Sequence, residues 1–233
     1  YRVGGINPNA GLLPTIPVKY DSDRVKNYEA GVKFHAFDGK LYVEATVFNI
    51  DWKGIQARLF GPAPSYYSYV SNAGSANVVG GELAATWQIA KVASFSTSVT
   101  RQDARLTAFL PDTFAVGGGY ASGSVLPGSS KWSVANNLKF DFEDVAFKPS
   151  FEVAHRYLSS APVAFGNTAT RGNFNIIDLR AGVTLMDKVR VLVFANNVFD
   201  KFGILNAPFT SQATPAGSIV RPRTVGLRLD WSL

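Results

Sequence analysis

Ile177-Asp178-Leu179-Arg180-Ala181-Gly182-Val183-Thr184-Leu185 decides the fold, because two chemistries alternate along it. Ile177, Leu179, Ala181, Val183 and Leu185 are apolar, and Asp178, Arg180, Gly182 and Thr184 are not. Successive side chains of a β-strand point to opposite faces, so this segment predicts a strand with one oily and one wet face.

The same period of two runs outward in both directions. At the end of the chain Val225, Leu227, Leu229, Trp231 and Leu233 alternate with Thr224, Gly226, Arg228, Asp230 and Ser232. In Trp132 to Phe142 the apolar set is Trp132, Val134, Leu138, Phe140 and Phe142, with Asn136 as the exception. Tyr28 to Ala36 and Val79 to Ile89 follow the pattern. Leu41 to Trp52, Phe95 to Arg101, Phe147 to Tyr157 and Val189 to Ala195 follow it less cleanly. In Leu41 to Trp52 the apolar phase slips from Leu41, Val43, Ala45 and Val47 to Phe48, Ile50 and Trp52, which predicts a bulge or an oily patch on both faces. The reading is all-β, with about nine strands. Many approach the roughly 9–11 residues of a tilted membrane-crossing strand rather than the 5–6 common in globular proteins.

Connections alternate in length. Phe37-Asp38-Gly39-Lys40 is a tight turn, and short links recur near 90–93, 143–146 and 186–188. The intervening links, about 56–74, 104–130, 159–172 and 201–218, are long and rich in Gly, Pro, Ser, Asn and Tyr. All short turns therefore lie at one end and all long loops at the other, the asymmetry of an antiparallel transmembrane β-barrel with short periplasmic turns and long extracellular loops. A soluble sandwich needs shorter strands, and a propeller needs a repeat that is absent.

Composition agrees. Among 233 residues, 46% are hydrophobic, 13% aromatic and only 17% charged, against about 25% charged in ordinary soluble domains. With Cys 0, a disulfide scaffold and a thiolate metal site are excluded. The net charge of +6 comes from scattered Lys and Arg, without the clustered basic face of a nucleic-acid binder, so no nucleic-acid partner is expected. No stretch has the unbroken apolar run of a membrane helix. The chain opens on Tyr1-Arg2-Val3 without Met or a signal peptide, which suggests a piece of a longer protein.

His35 and His155 fall on different strands without a third His or a Cys, so neither a metal site nor a cofactor is expected. No nucleophile elbow or P-loop occurs, and Gly117-Gly118-Gly119 reads as a loop tip, so no enzyme is expected. Trp132, Tyr157, Trp52 and Trp231, near strand ends, suit interfacial girdles. Binding groups concentrate on loops, and Arg58, Phe60, Tyr66, Tyr67 and Tyr69 offer a cation with amphipathic rings, the candidate substrate contacts. Glu82, Lys139, Glu152, Arg180 and Arg228 fall in the wet phase of their strands.

Several phrases, in order, resemble the C-terminal barrel half of TonB-dependent outer-membrane receptors. These are Asn27-Tyr28-Glu29-Ala30-Gly31-Val32-Lys33, Phe48-Asn49-Ile50-Asp51-Trp52, and Asn72-Ala73-Gly74 with Gly81-Glu82. Leu126-Pro127-Gly128 before Lys131-Trp132, and Asp178-Leu179-Arg180-Ala181-Gly182-Val183, continue the series. Asn197-Val198-Phe199-Asp200-Lys201 and Pro222-Arg223-Thr224-Val225-Gly226-Leu227 are the most specific.

The resemblance implies roughly the last nine strands of a barrel of about 22, without its plug. Residues 1–23 would be an extracellular loop remnant and 24–233 the barrel strands. It implies a Gram-negative outer-membrane receptor that imports a scarce substrate, foremost an iron–siderophore chelate, when TonB acts through the N-terminal part. The wet-phase charges would line the lumen, and Val225, Leu227, Leu229, Trp231 and Leu233 would form the signal read by the barrel-assembly machinery. Such barrels commonly end in an aromatic residue, whereas this chain ends in Leu233. A passive porin-type channel and a soluble β-rich binding module are the alternatives.

Overall fold

The computed structural model describes residues 2–12, 14, 16–60, 67–111, 119–163, 165, 169–186, 188–206 and 217–231. Nine strands form one antiparallel sheet: β1 (Arg24–Ala36), β2 (Leu41–Lys53), β3 (Ser75–Ala90), β4 (Ala93–Ala108), β5 (Trp132–Asp141), β6 (Ser150–Leu158), β7 (Phe174–Leu185), β8 (Val189–Asn196) and β9 (Thr224–Trp231). Each pairs with its sequence neighbour, leaving β1 and β9 as the two edges among the described residues. This is the up-and-down meander expected from the alternation. Among the described residues no helix is long and apolar enough to cross a membrane.

The turns follow local chemistry. Between β1 and β2, Asp38 (φ 53°) and Gly39 (φ 80°) take the left-handed conformations of a type I′ turn, closed by Lys40 N donating to Phe37 O at 3.1 Å. The expected strand start at Phe147 is corrected. Phe147 and Lys148 have φ of 64° and 39°, and β6 begins at Ser150, after Pro149, which lacks the N–H a central ladder needs. Every long link carries its own two-stranded ribbon: Gln56–Phe60 with Ser68–Asn72, Leu110–Pro111 with Gly119–Tyr120, Ala161–Pro162 with Thr170–Arg171, and Ile204–Asn206 with Ser218–Ile219. Of the glycine run at 117–119, the first two residues lie outside the described residues.

Register fixes the faces. Val225, Leu227, Leu229 and Trp231 stand opposite Ala195, Val193, Val191 and Val189, and these in turn opposite Leu179, Ala181, Val183 and Leu185. The same row of apolar side chains continues to Val32, Phe34 and Ala36 of β1. This apolar face is bare: Val225 is 67% exposed, Leu227 61%, Leu229 64% and Trp231 75%. Among the described residues nothing covers it, as lipid contact requires. Leu233 lies outside the described residues.

The phase slip in β2 is not a bulge, since β2 pairs with β1 and β3 without a register shift from Leu41 to Lys53. Phe48, Ile50 and Trp52 instead form an oily patch on the polar face. There Phe48 lies over Gly80, just as Phe194 lies over Gly226; a Cβ added at either glycine would meet the ring at 2.5 and 2.4 Å. Trp52 therefore departs from the girdle expectation. Trp132, Tyr157 and Trp231 share the apolar face, and Trp52 pairs with Val25 and Ala76 on the other.

What buried core exists sits at the loop end. Ala76, Leu106 and Leu110 are enclosed by Ile55, Ala57, Ala73, Tyr120, Leu126 and Phe165, so apolar packing ties the ribbons to the strand ends.

Candidate functional site

At the loop end of the polar face, β5 to β8 converge on a cavity of about 530 Å³ lined by Asn137, Glu152, Arg156, Asp178, Arg180 and Arg221, with Leu205 and Val220 at its rim. Alternation delivers these groups. Glu152, Ala154 and Arg156 share one face of β6, and Ile176, Asp178 and Arg180 are their partners on β7. Arg180 Nη1 donates to Glu152 Oε1 at 2.7 Å, and Asn137 Nδ2 donates to the same oxygen at 3.0 Å. Arg156 Nη2 donates to Asp178 Oδ2 at 3.0 Å. Asp178 is buried, and its other oxygen accepts the Asn197 backbone N–H at 2.7 Å. Asn137 Oδ1 is enclosed without a partner.

Asn197 explains why the phrase Asn197-Val198-Phe199-Asp200-Lys201 belongs here. It is buried with φ 51°, a left-handed position that Asn tolerates better than most residues. Its Nδ2 donates to Lys201 O at 2.9 Å and Arg221 O at 3.1 Å, while its Oδ1 accepts Lys201 N at 2.8 Å. The link leaving β8 is thus folded back, and Arg221 is delivered to the cavity wall. With three arginines against two carboxylates, the lining carries one positive charge in excess. Among the described residues Arg221 has no ion-pair partner, which suits an anionic ligand rather than a cation.

The charges read from the sequence all share the polar face by register: Glu82 opposite Thr100, Lys139 opposite Glu152, Glu152 opposite Arg180, Arg180 opposite Phe194 and Arg228 opposite Leu192. Glu152 and Arg180 meet in the cavity. Lys139 pairs with Asp141 at 2.6 Å and Arg228 with Asp230 at 2.8 Å, both outside it. Arg156, Asp178 and Asn197 were missed as site residues, although simple parity from Glu152 and Arg180 places the first two on the wet face.

The loop cluster is divided. Arg58 stands opposite Val70, and Leu59 opposite Tyr69, so Arg58 and Tyr69 occupy opposite faces of their ribbon. Phe60 pairs with Ser68, Tyr67 is exposed just before the returning strand, and Tyr66 lies outside the described residues.

Described residues of the N-terminal segment dock on this ribbon and on β2. Asn7 exchanges hydrogen bonds with Val70, its Nδ2 donating to Val70 O at 2.8 Å and its Oδ1 accepting Val70 N at 2.8 Å. Asp23 is buried and accepts Arg2 N and Nε, both at 2.6 Å, and Trp52 Nε1 at 3.0 Å. The Arg2 guanidinium lies 5.3 Å from the centroid of the Trp52 ring. Burial alone pushes the Asp23 carboxyl up, but the Arg2 backbone and side-chain hydrogen bonds and the Trp52 N–H outweigh it and hold it below its ordinary 3.8.

His35 sits on the polar face with its ring 5.0 Å from that of Tyr42, and His155 on the apolar face. Among the described residues no three His, Cys, Asp or Glu gather where they could hold a metal.

These features define a class: a meander of long strands, bare and oily on one face, charged on the other, with ordered ribbons at one end only. The chain belongs to the TonB-dependent receptor-like β-barrel family, whose model matches residues 3–198. It corresponds to the barrel part of that family. Among solved structures it is similar to the ferric yersiniabactin uptake receptor FyuA from Yersinia pestis, with TM-score 0.73 and 17% identity over 91% of this chain and 30% of that one. It is similar also to the siderophore receptor PiuA from Acinetobacter baumannii (TM-score 0.71, 19% identity, 89% of this chain and 28% of that one). The pyoverdine receptor FpvA from Pseudomonas aeruginosa gives TM-score 0.70 and 18% identity over 91% of this chain and 30% of that one. The chain thus spans less than a third of the length of these receptors. No curated protein sequence matches it significantly.

Proposed function

We propose that this chain forms the last nine strands of an outer-membrane importer of a scarce anionic chelate, foremost an iron–siderophore complex. In this reading residues 1–23 belong to an extracellular loop, and the apolar face meets lipid. The polar face, including Glu82, Lys139, Glu152, Arg180 and Arg228, lines the lumen. TonB would act through the N-terminal part of the parent protein, and the last strand, Val225 to Leu233, would present the assembly signal. Arg58, Phe60, Tyr66, Tyr67 and Tyr69 would make outer contacts.

The single observation that carries the reading is the arginine-rich cavity at the loop end of the polar face. Guanidinium groups bind carboxylates in bidentate fashion, and Asn197 fixes the Arg221 backbone so that its exposed side chain stands at the cavity wall. The three similar receptors are a ferric yersiniabactin uptake receptor, a siderophore receptor and a pyoverdine receptor, which favours that substrate class over others. The test is uptake of radiolabelled ferric chelates by cells whose only such receptor is the intact parent protein. Arg221→Gln should lower uptake about tenfold at an unchanged membrane level, the worth of one charge-assisted hydrogen bond. Uptake that persists after the inner-membrane proton gradient is collapsed would contradict energised import and indicate a passive channel.

A further inference from the structure

The apolar face carries a polar track that the import reading leaves unused. Thr97, Asn136 and His155 are direct neighbours across β4, β5 and β6, and Asn175 follows diagonally on β7. Thr97 Oγ1 donates to Asn136 Oδ1 at 2.7 Å, Asn136 Nδ2 meets His155 Nδ1 at 2.9 Å, and His155 Nε2 meets Asn175 Oδ1 at 2.8 Å. With the Asn136 amide donating, Nε2 carries the ring hydrogen, so every bond runs in one direction. The chain of donors ends on the exposed Asn175 amide, whose N–H groups are open. Aligned bonds polarise one another and sharpen that last donor.

Four residues along β4 from Thr97, on the same face, stands Arg101, about 13 Å away at strand rise. Its guanidinium lies 5.8 Å from the centroid of the Trp132 ring, and among the described residues it has no carboxylate partner. On its other side the apolar face is hollowed by about 720 Å³, bounded by Val32, Val47, Leu83 and Val99 with Arg101 at the loop end. An exposed unpaired cation beside an oily hollow, with hydrogen-bonding groups below the Trp132 and Tyr157 rings, is complementary to an amphiphile lying along the strands.

We propose that this face holds one anionic lipid of the outer leaflet. Its phosphoryl head sits on Arg101 over Trp132, an acyl chain lies in the hollow, and its polar linkage groups meet the Thr97–Asn136–His155–Asn175 track. The inference rests on the reading that the apolar face meets lipid, but not on the identity of the imported substrate. Polar side chains facing hydrocarbon are costly and rare without such a role.

The test uses the intact parent receptor in nanodiscs of phosphatidylcholine doped with phosphatidylglycerol, followed by native mass spectrometry of retained lipid. The unmodified protein should retain phosphatidylglycerol about tenfold over phosphatidylcholine, one charge-assisted contact. Arg101→Gln should abolish the preference and Asn136→Leu with His155→Leu should weaken it, while Lys40→Gln, in a turn at the opposite end, keeps it. Equal retention of the two lipids by the unmodified protein overturns the proposal before any variant is needed, as does an unchanged preference in Arg101→Gln. Loss of the preference in millimolar inorganic phosphate would assign the site to free phosphate and overturn the lipid. Because the readout is lipid and not import, failure here leaves the import reading untouched, and loss of import leaves this one untouched.

Discussion

Replacing Asn197 by alanine removes, in one step, two donated bonds and one accepted bond that hold the link after β8. Asn197 is buried but Lys201 and Arg221 are exposed, so Lys201 O, Arg221 O and Lys201 N lose partners that water replaces in part. Each lost bond costs about 0.5–1.5 kcal/mol. Alanine at φ 51° adds about 1–2 kcal/mol of left-handed strain. Such terms overlap and relax, so we expect about 3 kcal/mol of local destabilisation, roughly a hundredfold more frequent opening. Hydrogen exchange of residues 198–206 in the intact receptor should accelerate by that factor, while β5 and β6 stay protected. Asn197→Asp, which keeps the acceptor and tolerates the backbone, should fall between. Exchange within about threefold of the unmodified protein would refute the view that this side chain organises the cavity wall.

Three further outcomes follow from the same geometry. Leu227→Lys puts a charge on the bare apolar face and should cost about 2–4 kcal/mol in bilayers, seen as a lower urea midpoint and a lower membrane level, whereas Arg228→Gln should cost far less. Gly80→Ala brings a Cβ to 2.5 Å from Phe48 Cζ and 2.6 Å from Arg101 O, so it should destabilise by about 1–3 kcal/mol. Because one of those contacts is backbone, adding Phe48→Ala should recover only part of the loss in a thermal melt. Since the Asp23 carboxyl lies below its unfolded value of 3.8, its contribution is complete above that value and disappears as pH falls through the lower folded one. The N-terminal segment should therefore become protease-sensitive only below about pH 4, and Asp23→Asn should make it sensitive at neutral pH.

The sheet was legible because period-two alternation records a face in every strand, and the turn between β1 and β2 because Asp38-Gly39 supplies left-handed backbone. What alternation could not supply was the purpose of exceptions. Asn136 looked like a flaw in β5 and is the second link of a hydrogen-bonded track. Trp52 looked like a girdle ring and is a polar-face partner of Asp23. Both depend on neighbours far along the chain. The loop cluster divides between two ribbon faces for a related reason: nearness in sequence at Arg58 and Tyr69 says nothing of the face each takes. Arg156 and Asp178 were within reach of parity, yet the weight of Asp178 came only from its bond to Asn197, 19 residues away.

A membrane-spanning β9 must turn its apolar face to lipid. The chain has Cys 0, so single cysteines at 225 to 229 in the intact receptor can carry spin labels without interference from native thiols of this segment. In bilayers, collision with dissolved oxygen should peak at Val225, Leu227 and Leu229, and collision with a water-soluble nickel chelate at Gly226 and Arg228. Nickel-chelate peaks at the three apolar positions, or no alternation at all, would contradict it.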